Sequence, residues 1–115
     1  SGGAIVTVGD WAVDRPYPEY IGYFLSKGGL ETATKALAVE LAALNENIRV
    51  NCIHPGNILF PDELSPEHRS EIQAMTPIDC VDDPEPFCQA VSFFLENRMV
   101  TGTSIKIDSG RSLAQ

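Results

Sequence analysis

No apolar run in this chain approaches the roughly 20 residues needed to cross a bilayer, and nothing at Ser1 reads as a secretory leader. The start, SGGAIV, reads as a chain entered just before a strand. Basic residues are scarce: 8 Lys and Arg stand against 16 Asp and Glu, for a net charge of −8. A surface of that sign argues against nucleic acid or an anionic membrane as the main partner. Much of the acid falls in residues 62–71 and 79–85, where a solvated face is its simplest use. Cysteine is sparse and odd in number: Cys52, Cys80 and Cys88 lack metal-ligand spacing. That excludes a disulfide framework and a cysteine-bound metal, and points to reduced, mostly buried thiols in a cytoplasmic protein. Internal repeats and low-complexity segments are also missing.

What remains is a chain of 115 residues with 43% hydrophobic and 21% charged residues, the proportions of a soluble domain. Residues 4–8 form a short apolar run suited to a strand buried on both faces. Gly9, Asp10 and Trp11 end it, and Pro16 and Pro18 keep the next stretch in a loop. A helix is expected over residues 19–44, with Leu30, Thr34, Leu37, Leu41 and Leu44 recurring at three- and four-residue steps. Ala33, Ala36, Ala38, Ala42 and Ala43 add small faces. Gly28 and Gly29 are costly inside a helix. A second strand spans 48–53 and stops at His54-Pro55-Gly56. Ser65 is a plausible cap, with Pro66 at the first position of a short helix. Asp82 or Asp83 would cap a helix over 84–97, whose inner face is Phe87, Val91, Phe94 and Leu95 with Cys88. A third strand covers 104–108. Right-handed crossovers would lay the three strands parallel and adjacent.

Chemistry gathers at the first strand's end. Tyr23 and Lys27 are four apart, hence on one helical face. An ammonium beside a phenol stabilises the phenolate, so Lys27 is expected to lower the tyrosine pKa from about 10. Asp10 lies where open parallel sheets place ligands, at a strand end. By itself it reads as a turn cap; beside a proton donor it can relay or supply a proton. His54 reads as a structural strand-end residue, and Trp11 as either a lid for a flat ring or core.

The ordered set Asp10, Tyr23-x-x-x-Lys27, SKGGLETATKALAVELA, IRVNCIHPG and TGTSIKIDSG resembles the C-terminal half of the short-chain dehydrogenase/reductase family over nearly the whole chain. The resemblance implies an α/β fold, half of a Rossmann-like doubly wound parallel sheet. It implies that Tyr23 is the catalytic acid and that Lys27 binds the nicotinamide ribose. Pro55, Gly56 and the backbone of Ile58 would line the nicotinamide. Asp10 stands where the family usually has Ser, a departure similar to the pteridine reductase branch, including dihydromonapterin reductases. The segments PGNILFPDE and IDSGRSL are similar to that branch too. Phe60 replaces a Thr that often touches the cofactor, leaving an apolar wall of Ile58, Leu59 and Phe60. Trp11 and Arg111 would then join Asp10 around the substrate. Position 29 commonly holds a small residue for close backbone approach, and residues 61–76 a mobile substrate-closing segment. The equivalent of helix 19–44 packs against a second subunit, so a homo-oligomer is implied. Ser109 replaces the first Gly of a terminal Asp-Gly-Gly.

The family's Gly-x-x-x-Gly-x-Gly phosphate loop and the active-site Asn before residue 4 do not occur here. The expectation is therefore one partial domain, residues 1–115, completed by a missing N-terminal half. Its function would be NADP(H)-dependent reduction of a pterin-like or carbonyl substrate, with NAD(H) as the alternative cofactor. The competing reading is a non-catalytic scaffold of the same fold that works by protein association. The fragment alone is expected to be inactive.

Overall fold

The computed structural model describes residues 1–80 and 82–114. Strands β1 (Gly3–Val8), β2 (Ile48–Pro55) and β3 (Ser104–Ile107) form one parallel sheet in the order β1-β2-β3. Gly3 lies opposite Ile48, and Cys52 opposite Ser104. The helices are α1 (Ile21–Leu44), α2 (Pro66–Ala74) and α3 (Glu85–Glu96). Short 3-10 turns follow the first and last strands, at Trp11–Asp14 and Arg111–Leu113.

Neighbouring residues of a strand point to opposite faces, and β1 sorts the helices accordingly. Thr7 shares a 2.8 Å hydrogen bond with the hydroxyl of Thr34 on α1. Val6 packs instead into the cluster of Ile53, Ala90 and Phe94, which α3 supplies from the other side. Helices on both faces leave no wet side for β2, and Val50, Asn51, Cys52, Ile53 and His54 are all buried. The Asn51 amide is satisfied there: it donates to the Val100 carbonyl at 3.0 Å and accepts from the Thr103 N–H at 3.1 Å. Arg49 closes the C-terminus of α3 by donating to the carbonyls of Phe94 (2.6 Å) and Leu95 (3.0 Å). Cations are favoured at that end of a helix.

Several expectations shift by a turn or a face. Helix α1 begins at Ile21 rather than 19, because Glu19 sits at φ 81°, outside helical space. In α1 the fully buried residues are Thr34 and Ala38, while Leu44 is exposed. The leucine spacing drifts off the face that meets the sheet as the helix passes the strand ends. In α3 the phase set by Phe87, Ala90, Val91 and Phe94 leaves Leu95 and Cys88 outward and exposed. Helix α3 is approached by Asp83, whose carboxylate accepts from the Glu85 N–H at 2.9 Å. Ser65 caps α2 as expected, accepting from the His68 N–H at 3.2 Å.

The close approach expected at position 29 is not made within this chain. A Cβ at Gly28 or Gly29 would meet open space. Glycine in an exposed helix interior costs about 0.5–1 kcal/mol against alanine. Gly28→Ala is therefore expected to stabilise the protein by about that amount, read by chemical denaturation. A loss of stability would place another surface against this face.

The outer edge of β1 has no partner strand among the described residues, and Ile5 and Val8 there are 43% and 41% exposed. An open apolar edge is a template for strand addition.

Candidate active site at the carboxyl end of the sheet

The site starts where β1 stops. Asp10 sits in extended backbone and caps the following 3-10 turn, its Oδ1 accepting from the Ala12 N–H at 2.8 Å. Its other oxygen, Oδ2, accepts from the hydroxyl of Tyr23. The cap and the chemical role proposed for this residue thus use different oxygens of one carboxylate. One turn further along α1, Lys27 donates from Nζ to the Val8 carbonyl at 3.1 Å. That bond fixes the ammonium at the strand end and leaves two of its N–H groups.

The electrostatics reverse one expectation. The Tyr23 pKa is pushed up to about 12, chiefly because its proton is held by the Asp10 carboxylate, with desolvation and the negative charge of Asp10 adding to it. The ammonium of Lys27 is bonded to a backbone carbonyl rather than to the phenol. A hydrogen-bonded anion next to the hydroxyl outweighs a cation that is not bonded to it. Tyr23 is accordingly a loaded phenol throughout the neutral range.

The Pro55–Gly56 loop is shaped by close packing. A Cβ on Gly56 would stand 2.8 Å from the Cα of Asp108, so only glycine fits. The Gly56 N–H donates to the Ile107 carbonyl at 2.8 Å. Asp108 is buried and organises the tail: its carboxylate accepts from the N–H groups of Gly110 and Ser112, both at 3.0 Å. Ser109, at φ 55°, occupies the left-handed region that a glycine takes without strain. The turn carries the Arg111 guanidinium to 4.5 Å above the ring of half-buried Trp11. Trp11 is thus neither free lid nor core, but one face of a stacked pair beside Asp10.

The expected apolar wall is narrower than its sequence. Ile58 is half-buried and Leu59 exposed, but Phe60 is only 8% exposed. The Arg69 guanidinium of α2 stands 5.0 Å from the Phe60 ring centroid. Asp82 fixes both partners, accepting from the Phe60 N–H at 2.7 Å and from Arg69 at 3.0 Å. Its carboxyl is held below the usual range by the Phe60 N–H first and by Arg69 second. Phe60 therefore belongs to the latch under α2, and not to an open surface beside Asp10.

Two long-range partnerships at the site were not read from the sequence, although His54 was read as a structural strand-end residue. Lys106 of β3 pairs with Asp14, tying the end of the Asp10 turn to the sheet. That bond raises the Lys106 pKa. His54 is 2% exposed and accepts the Asp10 N–H on Nδ1 at 3.2 Å. Neither partnership has a local signal, since each joins residues far apart in the chain. The glycine at position 9 was the one clue, because a Cβ there would fall 2.3 Å from His54 Nδ1.

The chain is similar to several known proteins. A family model described as enoyl-(acyl carrier protein) reductase matches residues 1–112. Carbonyl reductase family member 4 of Xenopus tropicalis is 38% identical over 112 residues, covering 97% of this chain and 46% of that protein. Dihydromonapterin reductase of Enterobacter sp. (strain 638) is 31% identical over 111 residues, covering 96% and 45%. The crystal structure of FolM alternative dihydrofolate reductase 1 from Brucella canis, complexed with NADP, superposes with a TM-score of 0.81 at 34% identity; it covers 100% of this chain and 45% of its own. The chain thus spans less than half the length of these curated relatives.

Proposed function

The chain belongs to the short-chain dehydrogenase/reductase family, and from that premise we propose that it is the catalytic half of an NADPH-dependent reductase acting on a pterin-like C=N or a carbonyl. One observation carries the reading: the Tyr23 hydroxyl donates to the Asp10 carboxylate at the carboxyl end of a parallel sheet, with the Lys27 ammonium one turn away. A parallel sheet places its ligands at that end.

The residues present suit one end of the cofactor. Lys27 would hold a ribose diol with its spare N–H groups and the Tyr23 oxygen would accept from it, and the tight loop at Pro55, Gly56 and Ile58 would line the nicotinamide. Bound NADPH supplies the hydride; its choice over NADH rests on the NADP-complexed relative. A phosphate cradle would come from a second, glycine-rich half paired along the free edge of β1. The substrate carbon gains the hydride and its nitrogen or oxygen gains the Tyr23 proton, so the double bond becomes single. The phenolate left beside the Asp10 carboxylate is unfavourable and takes a proton from solvent water, to which the 38% exposed Tyr23 is open. Asp10, with free lone pairs on both oxygens, also accepts N–H groups of a pterin, while Trp11 and Arg111 offer a flat face to its ring.

One outer row of α1, with Ile21, Leu25 and Val39 exposed, suits a contact with a second copy. The same row favours the second reading, a scaffold of this fold that works by association. The free cysteines Cys52, Cys80 and Cys88 support a cytoplasmic setting, and none of the described helices is long and apolar enough to cross a membrane.

The test is NADPH oxidation by the complete enzyme with a dihydropterin and with a simple carbonyl. Asp10→Ser is expected to lower dihydropterin reduction by at least about 10²-fold, as loss of a proton-handling group does, and carbonyl reduction less, since a serine hydroxyl still holds a carbonyl oxygen. An unchanged dihydropterin rate would sink the pterin reading. Absence of NADPH turnover with either substrate would favour the scaffold.

A further inference from the structure

We infer that His54 is the positioning residue of this site, a neutral imidazole protonated on Nε2 that holds Asp10 through Nδ1. The inference rests on the reductase reading for its catalytic meaning, and on geometry alone for its structural part.

The ring is buried at the end of β2, on the face covered by α1. Its Nδ1 accepts the Asp10 N–H at 3.2 Å, and an imidazole nitrogen accepts only when it carries no proton. The other nitrogen must then be the donor. Nε2 lies 3.7 Å from Glu31 Oε2 and 3.8 Å from Cys52 Sγ. A carboxylate facing Nε2 favours the proton there, because the partner of one ring nitrogen sets the tautomer. Gly9 makes the contact possible, since a Cβ would fall 2.3 Å from Nδ1 and 2.6 Å from Cε1. The sequence Gly9-Asp10 and His54, 44 positions on, are one device.

Its output is the aim of Asp10. The carboxylate must meet Tyr23 with one oxygen and the Ala12 N–H with the other. The Asp10 turn is otherwise pinned on either side, by the Gly9 N–H on the Ile53 carbonyl at 2.8 Å and by the Lys106 pair at Asp14. His54 is the pin at Asp10 itself. A line of polar groups therefore runs from Glu31 through His54 to Asp10 and Tyr23, with His54 its buried member and the Glu31 side chain 43% exposed at the far end. His54 acts through Asp10 and touches no substrate.

Size and hydrogen bonding make opposite forecasts for the variants. Asparagine is smaller than histidine, but its Oδ1 falls where Nδ1 stood and can accept the Asp10 N–H. Glutamine is closer in volume, but its polar atoms sit at the ε position. A positioning role makes His54→Asn the milder change; a space-filling role makes His54→Gln the milder.

In the complete enzyme, His54→Gln is expected to lower kcat on the order of 10²-fold, the effect of misplacing a reacting group by about 1 Å. The KM for NADPH should hold, because Lys27 and the Pro55–Gly56 loop do not depend on the ring. His54→Asn should recover most of kcat. The reverse order, or a fall in which both variants share equally, overturns the proposal. Nitrogen-15 NMR of the wild-type imidazole judges it without turnover: an Nε2–H tautomer with the Asp10 amide proton shifted downfield supports it, and an Nδ1–H tautomer overturns it. That readout stands even if a variant fails to fold. If the complete enzyme showed no NADPH turnover with either substrate, the reductase reading would fall while the tautomer still decided the role of His54.

Discussion

Tyr23→Phe is expected to lower kcat for reduction by roughly 10²–10⁴-fold, the usual contribution of a positioned proton donor, while the KM for NADPH rises only modestly, because Lys27 still holds the ribose. The ring stays, so its edge contact with Phe24 at 5.3 Å is kept and the fold is not at issue. Only the hydroxyl is lost, and with it both the proton and the bond to Asp10. The pH profile gives the prediction a second arm. In this site the tyrosine pKa stands at about 12, and its main cause is the bond to Asp10. Reduction needs the protonated phenol, so the rate should hold through the neutral range and fall only as pH approaches 12. Removing the anion removes the cause of the upward shift. Asp10→Asn should therefore move the alkaline limb down, toward the ordinary tyrosine value of about 10. Steady-state rates across alkaline pH check both statements. A limb that stays in place in Asp10→Asn would mean that the carboxylate does not hold the phenol during turnover.

The second large effect is on stability. Phe94→Ala is expected to cost about 3–5 kcal/mol, because its side chain is fully buried and truncation leaves a cavity as well as losing burial. Phe94 clusters with Ile53 of the central strand, against which Val6 of β1 and Ile105 and Ile107 of β3 also pack. No other side chain on α3 can fill that space. Leu95→Ala is the control, since Leu95 is exposed and should change stability by no more than about 0.5 kcal/mol. Denaturant titration of both variants in the complete enzyme reads the difference. Equal losses would show that the outward row of α3 is covered by another surface in the assembly.

The local signals were sound where the physics is local. Apolar runs, helical periods and caps are set by a few consecutive residues, and they located the strands β1, β2 and β3 and the helices α1, α2 and α3 to within a few positions. The Ser65 cap with Pro66 behind it is a contact of neighbours, and was read as one. The corrections came where a face had to be chosen. Leu95 and Cys88 were assigned inward on apolarity, but the phase of α3 is fixed by which residues meet Ile53, and that contact is not written in the helix itself. Phe60 was read as an open wall for the same reason; Arg69 and Asp82 reach it from later segments.

The active site divides along the same line. The sequence by itself determined which groups are available: an aspartate at a strand end, a tyrosine and a lysine one helical turn apart, and a Pro-Gly loop. Spacing along a helix fixes which side chains share a face, so the Tyr23–Lys27 pairing needed no fold to predict. Only the tertiary structure decided what those groups do to one another. It put the Asp10 carboxylate on the phenol and the Lys27 ammonium on a carbonyl, and so turned an expected fall in the tyrosine pKa into a rise. It also brought His54 under Asp10 across 44 residues. Electrostatic effects depend on distances of a few ångströms between groups that sequence separates widely, and only the packing of β1, α1 and β2 sets those distances.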